Sequence, residues 1–268
     1  MNEFDRLSGG NINDVYRDAD AVVRTAGPWT PSVHVLLRHV RSKGFLLAPE
    51  PIEIADGQER LQFFEGDTAT DEPWPEWVWT DELLVAAALA ARRFHDATTD
   101  LHFPDATVWR LPGLERSTLG DEEVFCHNDL APYNVVTREG QLVGIIDWDL
   151  VAPGTRMWEL AFMAWQWVPL HHPTLAAQLG WHADEPEQLG RRLRLLCDGY
   201  GLDTRTDVID LIELIIERIE ASRTGILNLA AQGEPAFVRL RDDGHPAHMA
   251  KTIAHISNIR ETLREWLR

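Results

Sequence analysis

Short apolar runs interrupted by glycine and proline mark the first part of the chain and predict β-strands. Three such runs are residues 21–24, 53–55 and 61–64. The dipeptide Asp56-Gly57 between the last two is typical of a hairpin turn. Thr30-Pro31 predicts the start of a helix, with Thr30 as N-cap, because Thr favours that position and Pro favours the first helical residue. This part of the chain therefore predicts strand hairpins and one helix.

Apolar positions at spacings of three and four dominate the later part of the chain and predict helices. The predicted helices span about residues 81–97, 157–168, 186–200, 207–231 and 248–267. The first of them is apolar around most of its circumference, which indicates a buried helix.

A polar segment, residues 126–136, stands between two apolar runs and predicts a loop that links two strands. Asp129 and Asn134 lie in this loop in the spacing D-x-x-x-x-N, and Asp147 arrives on the following hairpin. In phosphoryl transfer one carboxylate orients the attacking hydroxyl, while an amide oxygen and a second carboxylate bind Mg²⁺. Asp and Asn also cap turns, so either half of the pattern alone leaves both roles open. Their combination predicts Asp129 as the base and Asn134 with Asp147 as metal ligands.

The motif H-x-D-x-x-x-x-N at residues 127–134, followed by I-I-D-W-D, resembles the aminoglycoside phosphotransferase and choline kinase superfamily. The resemblance spans nearly the whole chain and is specific only at these motifs. It implies a protein-kinase-like two-lobed α+β fold. A nucleotide-binding lobe with a small antiparallel sheet would occupy residues 1–66, and a mainly helical catalytic and substrate-binding lobe would occupy residues 67–268. His127 has a structural role in this superfamily, and Asn128 replaces its usual glycine.

The resemblance also implies a nucleotide site in the first lobe. The residues expected to contact the nucleotide are Gly9, Gly10, Asn11, Arg24, Phe64 and Gly66. Glycine at the phosphate-covering turn would let backbone amides approach the phosphates, because no Cβ blocks them. The hinge with Phe64 and Gly66 would hold the purine, although an aromatic residue in a strand is more often part of the core.

Arg24 stands where the superfamily has a lysine that holds the α- and β-phosphates. Arginine keeps the charge but presents a planar fork in place of a single ammonium group. The next helix should supply an acidic partner for this residue, yet it has Val33-His34-Val35 there. Two alternatives stay open: Arg24 acts without such a partner, or the phosphate-binding arrangement has been rebuilt.

Acidic residues supply the candidates for the acceptor site. An acidic stripe runs along one face of helix 207–231, namely Asp207, Asp210, Glu213, Glu217 and Glu220. Glu217 and Glu220 are the predicted substrate contacts, because an acidic cleft wall attracts ammonium groups, whereas a solvated helix face is the alternative. Asp149 is a third candidate, near the metal and the substrate, with turn capping as its alternative role.

The formal charge of −18 argues against a nucleic-acid surface and suits a cationic small substrate, although it also serves solubility. No apolar run is long enough to cross a bilayer, and residues 1–5 lack the pattern of a signal peptide, so we expect a cytoplasmic protein without membrane contact. Cys126 and Cys197 fit neither a disulfide framework nor a zinc site.

These observations predict an O-phosphotransferase that moves the γ-phosphate of ATP or GTP, with Mg²⁺, to a hydroxyl of a cationic acceptor. An aminoglycoside or another basic antibiotic is the first choice, which would make the protein an antibiotic-resistance kinase, either a monomer or a homodimer. A choline or amino-alcohol kinase is an alternative. Residues 27–34, GPWTPSVH, resemble a branch known as trifolitoxin immunity proteins, so a weakly catalytic or non-catalytic immunity binding protein is another.

Overall fold

A computed structural model describes residues 5–6, 15–104, 106–110, 123–183, 185–202 and 207–268. The predicted phosphate-covering turn with Gly9, Gly10 and Asn11 lies outside these residues. The chain separates into two compact units, of which the first lies within Met1–Asp71 and Ala90–Arg156 and the second within Glu72–Leu89 and Met157–Arg268. This division differs from the predicted lobe boundary between residues 66 and 67, which stays a prediction.

An antiparallel sheet of five strands opens the first unit. Its strands are β1 (Asp5–Arg6), β2 (Val15–Asp18), β3 (Ala21–Thr25), β4 (Pro51–Ala55) and β5 (Gln58–Gln62), in the spatial order β1-β2-β3-β5-β4. Asp56 and Gly57 both have positive φ, at 52° and 74°, and form the hairpin turn predicted between β4 and β5. The register of β3 with β5 places Arg24 opposite Glu59.

Helix α1 (Thr30–Ser42) follows β3 and buries one apolar face. Its buried apolar residues are Val33, Leu36, Leu37 and Val40, which recur at the spacing of one helix face. The predicted N-cap is wrong by one residue, because Trp29 occupies that position and Thr30 begins the helix. The Thr30 hydroxyl accepts a hydrogen bond from the Gly27 amide at 2.9 Å. The Trp29 indole folds back over Gly27, where a Cβ would come within 2.4 Å of the ring.

Two short antiparallel pairs frame the central loop in the first unit. They are β6 (Glu123–Cys126) with β9 (Ala152–Thr155), and β7 (Val135–Arg138) with β8 (Gln141–Ile145). Trp148 follows β8 and is 1% exposed, with its ring centroid 4.9 Å from that of Phe94 and 6.5 Å from that of Phe45. This aromatic cluster fixes the segment after β8 against the core.

The second unit is helical. Helix α2 (Asp81–Thr98) contributes residues to both units, and the following helices are α3 (Arg156–Trp167), α4 (Pro173–Gln178), α5 (Pro186–Tyr200), α6 (Asp207–Ala231), α7 (Pro235–Asp242) and α8 (His245–Leu267). The predicted helices that correspond to α2, α3, α5 and α6 are confirmed to within one residue. Helices α4 and α7 were not predicted, and α8 begins three residues earlier than expected. Within the described part of the chain, no helix combines the length and apolarity needed to cross a membrane.

Candidate active site

The loop between β6 and β7 holds Asp129 through both oxygens of its carboxylate. The Tyr133 hydroxyl donates to Oδ1 at 2.8 Å, and Asn134 Nδ2 donates to Oδ2 at 2.8 Å and to the Asp129 carbonyl at 2.9 Å. The Asp129 side chain is half-buried, so part of it faces solvent. A carboxylate that is both fixed and accessible is suited to orient and deprotonate a hydroxyl. Sequence reasoning missed Tyr133, whose only signal is its position inside the motif.

Asn134 and Asp147 are linked through the backbone. The Ile146 amide donates to the Asn134 carbonyl at 2.9 Å, so Asp147 directly follows the residue bonded to Asn134. Asp147 adopts the left-handed conformation, at φ 57°, which Asp tolerates better than most residues, and its side chain is 47% exposed. Since Asn134 Nδ2 faces Asp129, its Oδ1 points elsewhere, and among the described residues it accepts no hydrogen bond.

His127 and Asn128 attach the loop to the segment that carries Asp147. The His127 ring is fully buried, and its Nε2 donates to the Ile146 carbonyl at 3.0 Å. Asn128 Nδ2 donates to the Leu150 carbonyl at 2.9 Å, from a backbone position with φ 66°. Asn is among the few residues other than glycine that occupy this region readily, which accounts for its presence in place of glycine. Both contacts hold the loop in position, in agreement with a structural role for His127.

Arg24 lies on β3 and faces three carboxylates. Its Nε donates to Glu59 Oε1 at 2.5 Å and its Nη2 to Asp149 Oδ1 at 2.5 Å, while Nη1 lies 3.4 Å from Asp147 Oδ1. Burial alone would lower the pKa of Arg24, but Asp149, Glu59 and Asp147 together raise that pKa above its ordinary value. Arg24 therefore stays charged and holds the carboxylates together.

Helix α1 contributes a histidine where the superfamily has an acid. His34 is 1% exposed, and its Nε2 lies 3.0 Å from Glu59 Oε2, so the acidic partner of Arg24 comes from β5 and is itself held by the helix. Burial tends to raise the pKa of Glu59, yet the hydrogen bond from His34 and the charge of Arg24 lower it below the ordinary value. Arg24 therefore has an acidic partner, on the neighbouring strand and not on the helix, and both alternatives for how phosphate is bound stay predictions. Sequence reasoning missed Glu59, which only the register of β3 with β5 identifies.

Asp149 is shared by two arginines. Oδ1 accepts from Arg24, and Oδ2 accepts from Arg110 Nη1. The Asp149 side chain is almost fully buried, and this burial, with the nearby charges of Asp147 and Glu59, raises its pKa despite both guanidinium groups. These contacts favour a counter-ion role for Asp149 over the predicted contact with the acceptor or the capping of a turn. Arg110 has no motif around it and was missed by sequence reasoning.

The chemistry of this cluster fits a hard divalent cation. Asn134 Oδ1 and the exposed carboxylate of Asp147 are oxygen donors of the kind that Mg²⁺ prefers. At their formal charges, the three carboxylates of Glu59, Asp147 and Asp149 outnumber the two guanidinium groups of Arg24 and Arg110 by one. The cluster thus keeps one excess negative charge, which a bound cation would offset.

The predicted hinge residues lie beside the hairpin of β7 and β8 in the first unit. A Cβ on Gly144 would come within 2.5 Å of the Phe64 ring, so this ring packs directly on the hairpin backbone. A Cβ on Gly66 would lie 2.3 Å from the Thr137 carbonyl oxygen, and Gly66 has φ 157°, so only glycine fits there. The hairpin that orients Asn134 and Asp147 therefore also contacts the segment predicted to bind the purine.

The acidic stripe of α6 lies in the second unit and is partly neutralised. Glu220 forms hydrogen bonds with Arg223 at 2.9 and 2.7 Å, which lower the pKa of this carboxyl, and Glu213 accepts from Arg264 at 2.8 Å. Glu217 is exposed. Ion pairs along this face favour the solvated alternative, and the assignment of Glu217 and Glu220 to the acceptor stays a prediction.

Comparisons with known proteins show the family to which the chain belongs. Residues 54–196 match the phosphotransferase enzyme family. The trifolitoxin immunity protein of Rhizobium leguminosarum bv. trifolii is 34% identical over 208 residues, which cover 76% of this chain and 77% of that protein.

Solved structures with low sequence identity share the fold. A choline/ethanolamine kinase family protein from Mesorhizobium loti superposes with a TM-score of 0.54 at 15% identity, over 96% of this chain and 92% of the other. Aminoglycoside phosphotransferase APH(4)-Ia, in a ternary complex with AMP-PNP and hygromycin B, gives 0.54 at 15% identity, over 96% and 93%. The predicted kinase-like two-lobed α+β fold and the predicted enzyme class are confirmed: the chain belongs to the phosphotransferase enzyme family.

Proposed function

We propose that this phosphotransferase moves the γ-phosphoryl group of ATP or GTP to a hydroxyl of a cationic small molecule, with an aminoglycoside or another basic antibiotic as the preferred acceptor. One observation on this chain supports the proposal beyond membership of the family. The accessible Asp129 carboxylate is fixed by Tyr133 and Asn134, and Asn134 is bonded to the residue before Asp147. Base and metal ligands thus form one connected unit, as phosphoryl transfer requires.

The proposed step follows from this arrangement. The acceptor hydroxyl donates a hydrogen bond to Asp129, and its oxygen attacks the γ-phosphorus, so that a new P–O bond forms. The bond from the γ-phosphorus to the bridging oxygen breaks, the nucleoside diphosphate leaves, and the hydroxyl proton goes to Asp129. Asn134 Oδ1 and Asp147 would hold Mg²⁺, which neutralises charge on the phosphates when bound.

Separate observations support the choice of donor and acceptor. One solved neighbour contains AMP-PNP and hygromycin B, which supports a nucleotide donor and a basic antibiotic acceptor for this chain. The charge of −18 favours a cationic acceptor and disfavours nucleic acid as a partner. We include in the proposal a cytoplasmic location, no membrane contact, a role in antibiotic resistance, and a monomer or homodimer.

An immunity function is the second candidate, and a specific observation favours it. The relative that is 34% identical carries the name trifolitoxin immunity protein. A protein of this kind could bind its toxic molecule without turnover, whereas the organised Asp129, Asn134 and Asp147 favour transfer. A choline or amino-alcohol kinase is a third candidate, supported by the name of the Mesorhizobium loti neighbour.

A screen for release of the nucleoside diphosphate tests the proposal. Aminoglycosides, other basic antibiotics, choline and ethanolamine would each be offered with ATP or GTP and Mg²⁺. Asp129→Asn keeps the size of the side chain but cannot accept the proton, so turnover should fall by about 10²–10⁴-fold. Asp198→Asn, which removes an exposed carboxylate paired with Arg194, is the matched control and should keep full turnover. Equal turnover in wild type and Asp129→Asn would refute the proposed role of Asp129.

A further inference from the structure

Arg24, at the position of the superfamily's phosphate-binding lysine, already pairs with carboxylates. Its side chain is 8% exposed, and two of its nitrogens donate to Glu59 and Asp149 at 2.5 Å each. The third nitrogen faces Asp147 at 3.4 Å. A guanidinium with a carboxylate near every nitrogen has little capacity left for phosphate oxygens. Its geometry is that of a residue that positions the aspartates.

Arg110 carries the second guanidinium of the same cluster, and fewer of its nitrogens face carboxylates. Its Nη1 donates to Asp149 Oδ2, and its guanidinium carbon lies 4.7 Å from the centroid of the Trp29 ring. In the part of the chain that the structure describes, Nε and Nη2 of Arg110 have no hydrogen-bond partner. The indole contacts the face of the guanidinium, so the N–H groups along its edge stay available. Among the described residues, Arg110 is therefore held by Asp149 and Trp29 and has two nitrogens without a hydrogen-bond partner.

Three features indicate an anionic phosphate as the group that Arg110 binds. Asp149 joins Arg110 to Arg24, which in turn lies 3.4 Å from the proposed metal ligand Asp147. Groups connected to metal ligands in phosphotransferases lie near the phosphate chain, because the metal bridges its oxygens. Arginine also matches phosphate through paired N–H groups, whereas it would repel a cationic acceptor.

We propose that Arg110 binds the phosphate chain of the donor nucleotide, while Arg24 acts as a positioning residue that holds Asp147 and Asp149. The stack on Trp29 keeps the Arg110 guanidinium in place before the nucleotide arrives. This inference rests on the proposed function, since it requires a nucleoside triphosphate as a substrate. It assigns phosphate binding to Arg110, which follows helix α2 in the chain, and no longer to the sheet residue Arg24.

Calorimetry with ATP, AMP, adenosine and inorganic tripolyphosphate tests the inference by direct binding. Arg110→Gln should weaken binding of ATP and tripolyphosphate by about 10–100-fold, the range for loss of charge-assisted hydrogen bonds. Adenosine, which has no phosphate, should bind Arg110→Gln as it binds wild type, and this also shows that the variant is folded. Arg110→Lys should recover part of the lost affinity. Arg194→Gln removes one exposed charge that is paired with Asp198 and should leave ATP affinity unchanged.

The outcomes separate the two proposals. If wild type binds ATP and Arg110→Gln binds it with equal affinity, the inference is overturned while the proposed function stands. An equal loss of affinity for adenosine and ATP would likewise overturn it, because the effect would then not involve phosphate. If wild type binds neither ATP nor GTP, the proposed function fails and the inference fails with it.

Discussion

At the scale of single residues, the polar cluster around Arg24 differs from the arrangement that the resemblance implies. The acid that pairs with Arg24 is Glu59 on the neighbouring strand, and the helix supplies His34 to hold it. The motif residues Asp129, Asn134 and Asp147 could be grouped into one candidate site from the sequence, because they are close in sequence and their chemistry is specific, and their roles stay predictions. Glu59 and Arg110 could not, since their roles depend on strand register and on a contact between distant segments.

Glu59→Gln should destabilise the protein by about 3 kcal/mol, because it leaves the buried charge of Arg24 with one carboxylate fewer. Since the pKa of Glu59 is below its ordinary value, its contribution is present at neutral pH and is lost as the carboxylate becomes protonated in acid. The difference between the variant and wild type should therefore shrink as pH falls. Urea unfolding followed by circular dichroism measures both effects.

Glu261→Gln is the matched control, since it removes an exposed glutamate that pairs with Arg264. Surface pairs of this kind contribute little, so the free energy of unfolding should change by less than about 0.5 kcal/mol. Equal stability of Glu59→Gln and Glu261→Gln would contradict the account of the buried cluster.

At the scale of elements, the sequence predicts what is local and periodic. Long helices such as α5 and α6 were predicted correctly because their apolar spacing repeats over several turns. The six residues of α4 and the eight of α7 were missed because such short helices show too few repeats. The connection between α3 and α4 was also not predicted to be buried, yet it contains His171, which is 5% exposed.

His171 should make the protein less stable in acid. Its Nδ1 accepts from Trp165 Nε1 at 3.0 Å, and burial, with smaller effects from His172 and His248, lowers the pKa of His171 from 6.5 to about 3. Between these values the unfolded state binds a proton that the folded state does not, so stability decreases as pH falls. The slope for one such group is up to about 1.4 kcal/mol per pH unit.

His171→Asn keeps an oxygen that can accept from Trp165 but removes the titrating ring. The free energy of unfolding of this variant should therefore fall less than that of wild type between pH 6.5 and about pH 5, measured by urea unfolding. The exposed His182→Asn serves as the control and should follow wild type. An identical loss of stability in His171→Asn and wild type would show that His171 does not titrate on unfolding.

At the scale of the whole molecule, the fold class was predicted from the motifs through the resemblance that they carry. The pattern at residues 127–149 resembles the aminoglycoside phosphotransferase and choline kinase superfamily, which implies a two-lobed α+β fold, and residues 54–196 match the phosphotransferase enzyme family. The identity of the acceptor could not be predicted in the same way, because it depends on the shape of a cleft that no short motif encodes. The acidic stripe of α6 illustrates this, since charge alone suggested a substrate wall while ion pairs with Arg223 and Arg264 favour a solvated face.

The binding of ATP and GTP by calorimetry, with and without Mg²⁺, tests the central claim most directly. Our account predicts that wild type binds at least one of these nucleotides, more tightly when Mg²⁺ is present. It also predicts that Asp147→Ala, which removes the proposed metal ligand, loses this dependence on Mg²⁺ while the control Asp198→Ala retains it. Nucleotide binding that does not respond to Mg²⁺, or that responds equally in wild type and Asp147→Ala, would contradict the assignment of Asp147.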